Sequence, residues 1–151
     1  MKFKIIFIFC LLINLSSFFD FKKVQAEEYK WIVNDDITLL LEISDNFQKR
    51  KIGLMNRESL KSNQGMIFIY ERLEPINIWM FNTLIPLDII FLKENKIIKI
   101  THNAMPCLDL PCKLYPSLEP VDMIIEINGG QAKILNLKVG DNLNFLKKEK
   151  Y

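Results

Sequence analysis

The chain has one histidine, three cysteines and five glycines in 151 residues, and arginine is scarce beside lysine among its 20 basic residues. Each shortage narrows the function. With a single imidazole, a serine or cysteine triad must be built on His102. No G-x-S-x-G elbow, H-E-x-x-H helix, phosphate loop or dinucleotide fingerprint occurs. These absences leave catalysis unsupported but open, and nothing in the sequence calls for a cofactor. No repeat, low-complexity tract or Gly/Ser linker divides the chain, so one domain is expected.

Long hydrophobic runs are also missing, except at the start. Lys2 and Lys4 precede an apolar run from Ile5 to Phe19, followed by small residues around Val24-Gln25-Ala26. At about 15 residues the run is shorter than the roughly 20 that cross a bilayer as a helix. Residues 1–26 read as a secretory signal peptide, or as an uncleaved anchor given the charges at Asp20, Lys22 and Lys23. The expected location is periplasmic or extracellular, with membrane attachment only if that segment is retained. Removing it takes away four lysines and one acid, leaving 16 basic against 17 acidic residues in 27–151. A net charge of −1 without a basic stripe excludes nucleic acid as an expected partner. Oligomeric state has no signature.

What is present is β-strand patterning. Ile37–Ile43, Met66–Tyr70, Ile76–Met80, Leu87–Leu92, Ile97–His102, Val121–Ile127 and Leu143–Phe145 all read as strands. Leu87–Leu92 is apolar on both faces, as a central strand would be. In Val121–Ile127 the odd positions are expected inward, with Asp122 and Glu126 outward. Ile98, Ile100 and His102 are expected on one face. Ser44-Asp45-Asn46 can cap a short helix over Phe47–Leu54, and a second short helix is expected near Gln131–Leu135. Glu94-Asn95 suits a tight hairpin. The fold class is therefore mainly β: one compact β-sandwich or distorted barrel with one or two short helices.

The densest chemistry lies between Gly53 and Phe91. There G-L-M-N-R at 53–57 and G-M-I-F at 65–68 precede W-M-F-N-T-L-I-P-L-D at 79–88, with Y-P-S at 115–117 and a closing G-G-x-A-x-x-L-x-x-K-x-G-D. Together these blocks, covering about 37–145, resemble the prokaryotic domain-of-unknown-function family 192. That resemblance implies a jelly-roll-like, often exported domain and brings no agreed reaction, cofactor or catalytic residue.

Five residues are candidates for ligand binding. Asp88 falls on a strand read as buried, where a lone carboxylate needs a partner. Arg57, with its five-donor fork, is the first expectation and Arg72 the second. That pair is either a clamp for the fold or an anchor for a ligand. Trp79 is a core plug or a stacking wall. Asn82 and Thr83 hold a bend or line a pocket. Met55, Met66 and Met80 are adaptable core filler. His102, Cys107 and Cys112 form H-x4-C-x4-C, a pattern unlike standard zinc spacings. In an oxidising compartment a Cys107–Cys112 disulfide is the main expectation, contributing roughly 2 kcal/mol by loop entropy. A copper or zinc site on His102, Cys107 and Cys112 is the alternative.

The reading that unites these features is non-catalytic binding of a small molecule or extended peptide in a cleft lined by Arg57, Trp79, Asn82, Thr83 and Asp88. A hydrolase using His102, a copper or zinc carrier and a purely structural envelope protein are the other classes.

Overall fold

The structure is a computed structural model that describes residues 28–147; the expected signal segment, 1–26, lies outside these. Strands β1 (Glu28–Ile32) and β2 (Thr38–Ser44) are followed by helix α1 (Phe47–Ile52) and strand β3 (Gln64–Glu74). Strands β4 (Asn77–Trp79), β5 (Leu87–Lys93), β6 (Lys96–Ala104), β7 (Leu114–Pro116) and β8 (Val121–Asn128) come next. Helix α2 (Gln131–Ile134) and strand β9 (Asn144–Lys147) complete the order.

Seven strands form one sheet in the order β6-β5-β8-β3-β2-β1-β9, and β4 and β7 form a separate ribbon. Among the paired strands of the described residues, β2 and β3 run parallel; the insertion of α1 between them supplies the crossover that a parallel pair requires. The sheet curls into a half-barrel. Its far edges meet at one end, where Ile97 N–H donates to the Asp141 carbonyl at 2.9 Å and Leu143 N–H to the Asn95 carbonyl at 2.9 Å.

The period of two sorts the central strands into two cores. Leu87, Ile89 and Phe91 of β5 join Met66, Phe68 and Ile124 on one face, beneath Ile78 and Tyr115 of the ribbon. Ile90 and Leu92 join Ile67, Ile125, Ile127 and Trp31 on the other, which Ala132 of α2 closes. The expectation of a strand buried on both sides holds for β5, and it extends to β3 and β8.

Local chemistry explains the ends of several elements. The Asn46 side chain accepts from the Lys49 N–H at 3.0 Å, capping α1. Gly53 then stops the helix at φ +50, where a Cβ would lie 3.3 Å from the Phe68 ring. Glu94 and Asn95 both take positive φ in the β5–β6 hairpin, as its two-residue turn demands.

Three sequence expectations are corrected. Strands β1 and β7 form where no strand was expected: β1 pairs with the adjacent β2 and is completed by the distant β9, and β7 gains its ladder from β4. Ile98 and Ile100 do not share a face. The register shifts opposite Phe91 and Leu92, so that Ile97 pairs with Leu92 and Ile100 with Ile90, while Ile98 packs on the other core. A β-bulge inserts one residue and reverses the alternation there. Glu126 is the third: it is buried rather than outward, because β8 runs between β3 and β5 with both faces covered.

Gly65 lets β2, β3 and β8 approach closely. A Cβ at this position would sit 2.7 Å from the Glu126 carbonyl oxygen and 2.8 Å from Leu41 Cδ2. Two neighbouring strands cannot both retreat without lengthening the ladder. Gly65→Ala is expected to lower stability by about 1–3 kcal/mol, read from the urea midpoint at unchanged slope.

Candidate functional site

A hollow of about 120 Å³ opens on the face of the sheet covered by the ribbon. The end of α1 and the following turn contribute Arg50, Lys51, Gly53 and Met55 to its lining; β3 contributes Phe68 and Tyr70. Asn77 and Trp79 come from β4, Thr83 from the following bend and Glu126 from β8. Trp79 alternates with the buried Ile78 and Met80, so its ring stands out at the lip, 43% exposed. It packs beside Phe81 with ring centroids 5.4 Å apart.

Glu126 is the unusual group. It is 5% exposed, flanked in the sheet by Met66 of β3 and Ile89 of β5. Its carboxyl takes no hydrogen bond and no ion pair among the described residues. Burial alone pushes it up to about 8; an isolated charge in such surroundings is disfavoured. Burial likewise pushes the nearby Tyr70 phenol up to about 12, with Arg50 opposing the rise. Arg50 lies 4.8 Å over the Tyr70 ring and donates to the Ile69 carbonyl at 2.8 Å. The guanidinium is thereby committed to the wall of the cleft rather than to Glu126.

Of the five residues anticipated from sequence, Trp79 and Thr83 border this cleft and Arg57, Asn82 and Asp88 do not. The expected Arg57–Asp88 pair is not formed. Arg57 grips Glu42 of β2 through two bonds of 2.5 and 2.7 Å, and this hydrogen-bonded pairing raises its pKa. Arg72, the second expected partner, lies near Glu74 instead, at 3.9 Å. Asp88 is 0% exposed and takes its bonds from the backbone. Its Oδ1 accepts from the N–H groups of Asn103 at 2.8 Å and Gly130 at 3.0 Å, and its Oδ2 from Ala132 at 2.8 Å. Asn82 holds a left-handed turn at φ +53, with its N–H on the Cys107 carbonyl and its carbonyl on the Asn56 N–H. The backbone role suits an Asn, which tolerates this conformation better than most residues.

Cys107 and Cys112 are joined in a disulfide. Their sulfurs are therefore spent on each other, and no group of three His, Cys, Asp or Glu side chains gathers to hold a metal among the described residues. Neither is His102 placed as a triad base: it is 54% solvent-exposed on its side chain, and its Nδ1 lies 3.9 Å from Asp88 Oδ2. No serine, threonine or cysteine forms a hydrogen bond with it among the described residues. Met66 and Met80 are buried core residues as expected, whereas Met55 borders the cleft.

Two other hollows are larger, about 260 Å³ beside Trp31 and Leu143 and about 300 Å³ beside Met105 and Tyr115. Neither contains a buried polar side chain without a partner, so chemistry rather than size selects the cleft at Glu126. One sequence signal pointed there. Ile124 stands between Asp122 and Glu126 in a row assigned to solvent, and an isoleucine in that row marks a covered face.

The profile of DUF192, described as "Uncharacterized ACR", matches residues 31–145. The chain belongs to the DUF192 family. A UPF0127 protein of Pyrococcus abyssi (strain GE5 / Orsay) is 30% identical over 109 residues, 70% of this chain and 86% of that protein. Two crystal structures share the fold. A Sinorhizobium meliloti 1021 protein, provisionally described as a transcription regulator, superposes with a TM-score of 0.72 at 31% identity, covering 80% of this chain and 94% of its own. A protein of unknown function from Novosphingobium aromaticivorans DSM 12444 gives 0.67 at 31%, covering 78% and 83%.

For this DUF192 chain the two buried carboxyl groups have opposite expected responses. Asp88→Asn turns one acceptor oxygen into a donor facing backbone N–H groups, and is expected to cost about 2–4 kcal/mol in urea unfolding. At Glu126 the folded protein keeps a proton that the unfolded chain releases near 4.5. Its raised pKa makes stability fall as pH rises from about 4.5 to about 8 and level off above that. Glu126→Gln should remove this loss: little change at pH 4, and a gain on the order of 4 kcal/mol at pH 9, read from urea midpoints across the range.

Proposed function

We propose that the protein is a non-catalytic binder of a small molecule, which it holds in the cleft between Trp79 and Glu126. The observation that carries this reading is the buried carboxyl of Glu126, left without a partner beside an open hollow. A fold stabilised by its own packing gains nothing from such a group, because burying it costs free energy that no internal bond returns. A ligand that bonds to it recovers that loss. The exposed ring of Trp79 adds a flat apolar wall, and Thr83 adds a polar group on the same surface.

Volume favours a small molecule over an extended peptide. A cavity of about 150 Å³ is filled by benzene, so the hollow takes one compact group while the rest of the ligand lies across Trp79. Arg57, Asn82 and Asp88 act in this reading as supports of the surrounding backbone. Binding takes place outside the cytoplasm. The character of residues 1–26 and the disulfide support that location. A role on nucleic acid, suggested by the description of the Sinorhizobium protein, is not adopted because 27–151 carries no basic excess.

Native mass spectrometry of the protein purified from its own compartment, before and after denaturation, tests the proposal. A retained small molecule is expected in the wild type, and at least tenfold less of it in Trp79→Ala and Glu126→Ala. Absence of any retained molecule, or retention undiminished in both variants, would overturn it.

A further inference from the structure

Resting on that reading of the cleft, we propose that the group bound there is the ammonium end of a small primary monoamine, held by the Glu126 carboxylate and the surrounding aromatic faces. The requirements come from what lines the hollow. An ionised Glu126 is an acceptor to which no side chain donates and with which no cation forms an ion pair among the described residues, although Arg50 and Lys51 stand on the α1 wall of the hollow. A hydroxyl or amide would supply only the donor. A carboxylate or phosphate would add a second negative charge beside the first. An ammonium supplies three N–H donors and the missing charge in one group.

The walls fit the same ligand. Phe68, Tyr70 and Trp79 border the hollow, and aromatic faces attract a cation. An ammonium carried on one or two methylenes is smaller than a benzene ring and suits about 120 Å³. Arg50 does not compete for Glu126, because Tyr70 and the Ile69 carbonyl already hold it. Arg50 and Lys51 do, however, place positive charge along the α1 side. A second ammonium on the ligand would meet them, so diamines are disfavoured and a neutral or anionic remainder is preferred.

The titratable groups on the cleft are Arg50, Lys51, Tyr70 and Glu126. Glu126, pushed up to about 8 by burial, is largely protonated at pH 7 when free and ionises when an ammonium binds to it. Each amine bound at pH 7 therefore releases close to one proton to solvent, and the carboxyl titrates at lower pH.

NMR of the full chain, following the Glu126 carboxyl carbon and the Trp79 indole N–H, tests this with n-butylamine, n-butanol, butyrate and 1,4-diaminobutane as probes. Saturating n-butylamine is expected to lower the Glu126 midpoint by at least one pH unit and to shift the Trp79 signal. The other three probes should bind at least tenfold more weakly, and Glu126→Gln should weaken the amine at least tenfold. An unmoved Glu126 titration, or butanol, butyrate or the diamine binding as well as n-butylamine, would overturn the amine assignment while leaving the cleft a site for other chemistry. If no probe moves the Trp79 indole, the assignment fails as well, and with it the support that Trp79 and Glu126 lend to a ligand cleft.

Discussion

The bonds that Asp88 takes from three backbone N–H groups hold together parts of the chain that otherwise share little. The carboxylate lies on β5, yet its partners belong to the end of β6, the Gly129-Gly130 turn and the first turn of α2. The Ala132 N–H is buried, where water cannot replace a lost bond, while those of Asn103 and Gly130 are part-buried. The charge is in turn solvated by the dipoles it orders, so neither side of the arrangement is free to move alone. The seat of α2 depends on it, and α2 closes the core through Ala132.

Glu126 is the opposite case, one strand away. Asp88 pairs laterally with Ile127, and Ile89 with Glu126, so the two carboxyl groups point to opposite faces of the sheet. One faces a turn rich in backbone donors; the other faces Met66, Phe68 and Ile124. Similar chemistry therefore yields a structural staple on one face and, on the other, a carboxyl that borders the hollow without a protein partner among the described residues. The difference in surroundings, rather than in residue type, is what makes Glu126 a candidate for recognition.

Several supports keep the cleft open. Gly53 ends α1 and lets the chain pass close to Phe68, while Asn82 and the Cys107 backbone fix the bend that follows Trp79. The Arg57–Glu42 pair ties the turn after α1 to β2. Of the residues anticipated as ligand contacts, Arg57 and Asn82 thus brace the segments next to the cleft, while Asp88 acts on the opposite face of the sheet. In the proposed binding role, the block at Gly53–Phe91 shapes the hollow and β8 supplies the charged group within it.

Much of the architecture was legible because its causes are local. Apolar residues on both faces marked β5 as doubly buried, Asn46 marked the start of α1, Glu94-Asn95 marked the hairpin, and the even cysteine pair marked the disulfide. Failures came mostly where the cause was remote: the pairing of β1 with β9 and of β7 with β4, and the burial of Glu126 between β3 and β5; the bulge at Ile98 is local to its hairpin but leaves the sequence pattern unbroken. The sequence alone determined family, fold class, the main strands and turns, and the concentration of aromatic and polar residues around Trp79. Only the tertiary structure decided that Arg57 meets Glu42, that Asp88 meets backbone N–H groups, and that the Glu126 carboxyl meets no hydrogen-bond partner among the described residues. Periodicity and turn chemistry act over a few neighbouring residues, whereas the partner of a buried charge is whatever the curled sheet brings beside it from far along the chain.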